Sequence, residues 1–131
     1  MLPEVDAVEG MAFPIMDELI IPILDKNEPQ MLLVSYGFDP HWLDPLGQLL
    51  LTADGYAQLV KKLCIWADTH CEGRIALFLE GGYDLNAGKA CSLAVLSAML
   101  EREWSDPYPC PYKESTAWHY MLKVAHSIWG I

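Results

Sequence analysis

The chain has 131 residues, 53% of them hydrophobic, and a formal charge of −10 at neutral pH. Its eight Lys and Arg are scattered, which argues against direct nucleic-acid binding, because phosphate recognition needs clustered cations. No run reaches the ~18 apolar residues of a membrane span, and the N-terminus lacks the basic start and apolar stretch of a secretory signal.

A chain of this length reads as one domain, residues 1–131, able to bury about two-thirds of its unfolded surface. The expected setting is soluble and intracellular: cytoplasmic, or nuclear if the source is eukaryotic. With five Trp and six Tyr the apolar content is high, so some of that surface is expected to face another subunit or a missing part of the same protein.

In chain order, Phe13, Met16, Leu19, Ile20, Ile23 and Leu24 recur at helical spacing and predict a helix over 12–24 with one buried face. Pro22 is expected to kink it or end it early. The polar turn 25–30 feeds an apolar strand at Met31 to Ser35. The loop that follows, 36–51, holds Asp39, His41, Asp44 and Leu46. Thr52 is the expected N-cap of a helix that ends near His70. Ile75 to Leu79 is a second strand, opening into Glu80-Gly81-Gly82-Tyr83-Asp84. Asp84 or Asn86 caps the next helix, which ends by Trp104. Residues 105–111, with three prolines, are irregular, and Ser115 or Thr116 caps a last helix to about Trp129.

A strand, a helix of about sixteen residues and another strand make a βαβ unit with parallel strands. Both polar loops then leave the sheet at one edge, where α/β folds place their ligand sites.

Asp39, just past a strand end, reads either as a metal ligand or as an Asx-type turn before Pro40. Asp44 reads as a structural turn. Leu46, apolar at the rim of the loop, is placed to line a substrate channel. Gly81 and Gly82 let the backbone approach a ligand closely, and Tyr83 beside them can donate a hydrogen bond to a developing oxyanion; the alternative is a plain turn with a packed aromatic. Cys64 and Cys91 read as buried thiols on helical faces. Cys71 and Cys110 fall in loops, and no C-x-x-C occurs. His70, His119 and His126 read as surface or packing residues, and no nucleophile turn is present.

Taken together, Ile20 to Leu24, Leu32 to Gly47 (LLVSYGFDPHWLDPLG), Leu51 to Tyr56 and Leu79 to Leu85 (LEGGYDL) resemble the zinc-dependent histone deacetylase superfamily, nearest its class II and bacterial branches, acetylpolyamine amidohydrolases among them. The resemblance covers Pro14 to Leu100. It implies an arginase/deacetylase-like three-layer α/β/α fold with a parallel sheet, of which this chain would be the C-terminal portion. It also implies Asp39 as a zinc ligand, Tyr83 as the residue that polarises the acetyl carbonyl, Leu46 as a wall of the acyl tunnel, and Gly81 and Gly82 as tunnel backbone. His41 is not a ligand in that family. The family's tandem histidines and its Asp-x-His pair, the other two zinc ligands, have no counterpart here.

The expected function is thus the C-terminal portion of a Zn2+-dependent deacetylase acting on acetyl-lysine, an acetylpolyamine or another small acylated amine. It would be inactive without the N-terminal half, supplied in the same protein or as another subunit. The alternative is a non-catalytic remnant or pseudoenzyme acting as a protein-binding module. One ligand of three should bind zinc poorly.

Overall fold

The computed structural model describes residues 9–47, 49–111 and 119–130. The first apolar stripe forms a continuous helical stretch: α1 (Glu9–Ile15), a π-helical segment (Met16–Ile20) and α2 (Ile21–Asn27). Pro22 does not end it early: the helix runs on to Asn27. Proline lacks the N–H that the carbonyl four residues back would accept, and its ring crowds that carbonyl. The turn is widened just ahead of it, with Ile21 N–H donating to the Met16 carbonyl, so Pro22 sits within the first two positions of a fresh helix. Glu28, in the left-handed region at φ 45°, closes α2 by donating its N–H to the Leu24 carbonyl.

Strand β1 (Leu32–Tyr36) begins one residue later than the apolar run predicts, and β2 (Ile75–Leu79) falls where it is expected. They pair in parallel from Leu32 opposite Ile75 to Tyr36 opposite Leu79. Between them runs α3 (Ala53–His70), capped by Thr52, whose hydroxyl oxygen accepts from Gly55 N–H at 3.0 Å. After β2 comes α4 (Leu85–Met99). Of the two candidate caps the structure uses Asp84, whose carboxylate accepts from the N–H groups of Asn86 and Ala87. Residues 105–111 carry no helix or strand. The last helix is α5 (His119–Trp129); its expected caps, Ser115 and Thr116, lie outside the described residues.

Helices α3 and α4 cover one face of the sheet. Ala87, Ala90, Cys91 and Ala94 on α4 are small and fully buried, which lets α3 approach closely with Tyr56 and Val60. Phe38 and Leu51 join this cluster, and Tyr36 and Leu77 pack against it. A second cluster gathers Met16, Leu32, Leu63, Trp66, Ala67 and Cys71 under the π-helical segment, with Val34 and Ile75 against it. Each fully buried aliphatic side chain contributes roughly 1.5–3 kcal/mol. The opposite face presents Leu33, 68% exposed, and Phe78, 51% exposed. The fold is α/β with a parallel sheet, as expected; a helical layer over that second face is not among the described residues.

Cys71, expected in a loop, is the C-cap residue of α3, and its thiol is buried in the second cluster. Cys91 is buried as expected and its thiol is pushed up to about 12, first by burial and then by the charge of Asp106. Cys64 is half-buried, and burial raises its thiol as well. No helix among the described residues is long and apolar enough to cross a membrane.

The core reaches the loop after β1 through Tyr56, whose hydroxyl donates to the Gly37 carbonyl at 2.7 Å. Burial pushes that phenol far above its ordinary range, so it stays a donor. Tyr56→Phe leaves the Gly37 carbonyl without its partner and is expected to lower stability by about 1–3 kcal/mol. Urea unfolding would show this as a lower midpoint at an unchanged slope; an unshifted midpoint would mean that the bond contributes nothing.

Candidate functional site

The two loops leave the sheet side by side because the ladder continues past the strands. Glu80 N–H donates to the Tyr36 carbonyl at 2.7 Å, and Phe38 N–H donates to the Gly81 carbonyl at 3.1 Å. Phe38 anchors the first loop: it is buried, with edge-on ring contacts to Tyr36 and Tyr56, both at 5.4 Å between centroids. Asp39 and Tyr83 therefore open on the same edge of the sheet.

Beyond Phe38 the chain makes a tight turn through Asp39 and Pro40. His41 N–H donates to the Phe38 carbonyl, and the segment then pairs with Leu51 through Trp42 N–H to the Leu51 carbonyl and Leu51 N–H to the Pro40 carbonyl. The Trp42 indole N–H donates to the Tyr108 carbonyl at 2.8 Å, which pins the irregular segment over the loop.

His41 is fully buried, and its Nδ1 accepts from Leu43 N–H at 3.1 Å. Burial lowers its pKa against the opposing pull of Asp106, Asp84 and Asp44. Its Nε2 is buried without a hydrogen-bond partner among the described residues. His70 is exposed and stacks on Trp66 at 4.4 Å between rings. Its Nε2 lies 3.8 Å from Asp25, a neighbour that no sequence spacing signals.

Three glycines shape the place where Asp39 and Tyr83 meet. A Cβ on Gly37 would collide with Asp39 Oδ1, and one on Gly47 would collide with the Asp39 carbonyl oxygen. The aspartate is thus held by backbone on both sides. Gly81 has φ +117°; a Cβ there would lie 3.3 Å from Asp39 Oδ1 and 3.6 Å from the Tyr83 hydroxyl oxygen. Carboxylate and hydroxyl therefore converge on the space over Gly81. Gly82, at φ +108°, packs so closely on Phe38 that a Cβ would sit 2.6 Å from the Phe38 Cβ. Tyr83 is 62% exposed and Leu46 68% exposed, so both stand at the rim.

Asp44 does more than its sequence reading as a turn provides. Its carboxylate is buried; Oδ1 accepts from the N–H groups of Leu46 at 2.9 Å and Gly47 at 3.0 Å, which is the expected turn. Oδ2 accepts from Tyr83 N–H at 2.7 Å, on the other loop. Burial alone would raise the pKa of this carboxyl, but the backbone N–H groups of Tyr83, Leu46, Gly47 and Asp84 outweigh it and hold the group below its usual range. No local pattern joins positions 44 and 83; only the parallel pairing brings them together.

As a zinc centre the described residues fall short. A catalytic zinc takes three protein ligands. Among the described residues no group of three His, Cys, Asp or Glu side chains is placed to hold a metal ion. Asp44 is committed to backbone donors, and Asp39 has no pair of further ligands grouped with it among the described residues.

Comparison with known proteins gives the site its context. Residues 6–99 match the model of the histone deacetylase domain. A probable deacetylase of Archaeoglobus fulgidus is 37% identical over 86 residues, 65% of this chain and 24% of that protein. A type-2 histone deacetylase 1 of Dictyostelium discoideum is 41% identical over 83 residues, 63% of this chain and 6% of that protein. Among solved structures, the HDA15 HD domain superposes with a TM-score of 0.75 at 25% identity, covering 96% of this chain and 32% of that one. The histone deacetylase Clr3 superposes with a TM-score of 0.78 at 23% identity, a likeness of fold. The chain thus spans about a quarter or less of the length of these curated relatives.

Two outcomes test the geometry. Gly82→Ala forces a side chain into a backbone conformation that costs about 1–3 kcal/mol by itself, and its Cβ would also displace buried Phe38; thermal unfolding should fall accordingly, and an unchanged melting point would contradict the close approach. The second concerns pH. Because Asp44 has a depressed folded pKa, its stabilisation is complete above the ordinary carboxyl value of 3.8 and is lost as pH falls through the folded value. The melting-point gap between wild type and Asp44→Asn should therefore be wide near neutrality and narrow below that value, whereas a pH-independent gap would mean that the charge is immaterial.

Proposed function

The chain belongs to the histone deacetylase domain family, and on that premise we propose that it contributes the oxyanion-donating side of a site that hydrolyses acetyl-amide bonds. The observation that carries this reading is the convergence of Asp39 Oδ1 and the Tyr83 hydroxyl over Gly81, at the carboxyl ends of two parallel strands. The substrate class is an acetylated amine: acetyl-lysine, an acetylpolyamine or another small acylated amine.

In amide hydrolysis water adds to the carbonyl carbon, the carbonyl oxygen becomes an oxyanion, and the amine leaves as the carbonyl re-forms. Tyr83 is the group of this chain that acts on the charge: its hydroxyl donates a hydrogen bond that strengthens as the oxyanion develops. The backbone at Gly81 and Gly82 lets the acyl group come close without a side chain intervening. Leu46, apolar and at the rim, lines the approach. Zinc, which the family implies, would take Asp39 as one ligand, and its other ligands would lie outside the described residues.

A second reading, a non-catalytic binding module, is favoured by one observation: the single metal donor. An assay on an acetyl-lysine peptide separates the two, run on the chain alone and on the chain complemented by the N-terminal part of a deacetylase domain. Under the catalytic reading the active form loses on the order of 100- to 1,000-fold in kcat on Tyr83→Phe, the usual effect of removing one oxyanion donor, with fold and metal content retained. Asp39→Ala instead lowers metal occupancy, and added zinc recovers part of its activity. Full kcat in Tyr83→Phe would remove Tyr83 from the role, and absence of activity in every form would favour the binding module.

A further inference from the structure

We propose that Asp44 is the positioning residue for Tyr83, a role that rests on the catalytic reading above and deepens it. Tyr83 is 62% exposed, so packing does not fix where its hydroxyl points. The place from which its ring projects is set by its backbone, and two glycines with positive φ precede it, at +117° and +108°. Such a pair leaves the chain many alternatives unless the next residue is tied down. The ties lie on both sides. Downstream, Asp84 caps α4 by accepting from Asn86 and Ala87. At Tyr83 itself, the N–H donates to Asp44 Oδ2 at 2.7 Å.

The other oxygen of the same carboxylate holds Leu46 and Gly47, and Gly47 in turn abuts the Asp39 carbonyl. One buried charge thus ties together three parts of the site: the backbone at Leu46, the backbone of Asp39 by way of Gly47, and the backbone of Tyr83. A carboxylate suits this task because it accepts at both oxygens at once, and charged acceptors make shorter and stronger bonds than neutral ones. An Asn keeps the shape but turns an N–H group toward one set of donors.

Asp44 acts on the chemical step through Tyr83, so its removal should lower kcat by a larger factor than it raises KM. Misplacement of a reacting group by about 1 Å costs roughly 100-fold, which bounds the expected loss in Asp44→Asn. The informative comparison is a double-mutant cycle in the active form. In the Tyr83→Phe background Asp44→Asn should cost distinctly less than in the wild type, because the hydroxyl it positions is gone and only its hold on Leu46 and Gly47 is left to lose. An equal fold-loss in both backgrounds would overturn the proposal and leave Asp44 a purely structural turn.

Amide hydrogen exchange of the chain itself needs no activity, and its wild-type arm needs no variant. The Tyr83 amide should be protected in the wild type, and in Asp44→Asn that protection should be lost while amides of β1 and β2 keep theirs. Rapid exchange of the wild-type Tyr83 amide would sink the positioning role whatever the kinetics. Strong protection together with full kcat in Tyr83→Phe would instead sink the catalytic reading and leave the bond standing.

Discussion

A buried carboxylate is costly unless its lone pairs are met by donors, and Asp44 meets that requirement with the backbone of both loops that follow the strands. The consequence is mutual: the charge is tolerated only while Leu46, Gly47 and Tyr83 hold their places, and they hold their places because the charge is there. Everything that makes the edge of the sheet a candidate site depends on this exchange. Phe38 and Tyr56 fix the first loop to the core, and Phe38 also packs against Gly82 of the second loop.

The parallel register prepares the exchange. Tyr36 opposite Leu79 brings both strands to the edge at the same height, and two further backbone bonds carry the pairing into the loops. From there close approach requires glycine. Gly37 and Gly47 leave room for Asp39, Gly82 leaves room for Phe38, and Gly81 leaves open the space that Asp39 and Tyr83 share. The site is therefore built from backbone hydrogen bonds and missing side chains. Its two candidate groups, Asp39 and Tyr83, stand on that frame although Tyr83 is mostly exposed.

What the sequence made legible was local. The strands follow from short apolar runs, Thr52 and Asp84 from capping chemistry, the loop pair from polar residues after each run, and Asp39, Leu46, Gly81, Gly82 and Tyr83 from their place in those loops. Effects that join distant positions were not legible. The second oxygen of Asp44 reaches Tyr83 across the sheet, and His70 meets Asp25 across the fold. Cys71 looked like a loop residue by its neighbours, yet the chain turns inward there and buries it. Pro22 does not end the helix early, for a different reason: a helix can meet an internal proline with a break or with a widened turn, and apolar spacing does not choose between them.

The high apolar content now has an address. Leu33 and Phe78 stand on the sheet face away from α3 and α4, and Leu93, Leu96 and Leu100 recur along the outer side of α4 and the residue that ends it, all exposed. Each strand of a two-stranded sheet also has one edge whose N–H and C=O groups lack a ladder partner among the described residues. Ligand count and surface are separate observations with one direction: among the described residues no set of three ligands is grouped to hold a metal, and the sheet is covered there on one face. Under the catalytic reading both deficits are met by the same thing, further structure laid along the sheet, because ligands that reach Asp39 must come to the edge at which β1 ends. The rigidity that Asp44 gives to that edge then matters doubly, since it holds Tyr83 at a fixed place for groups that do not belong to its own loops.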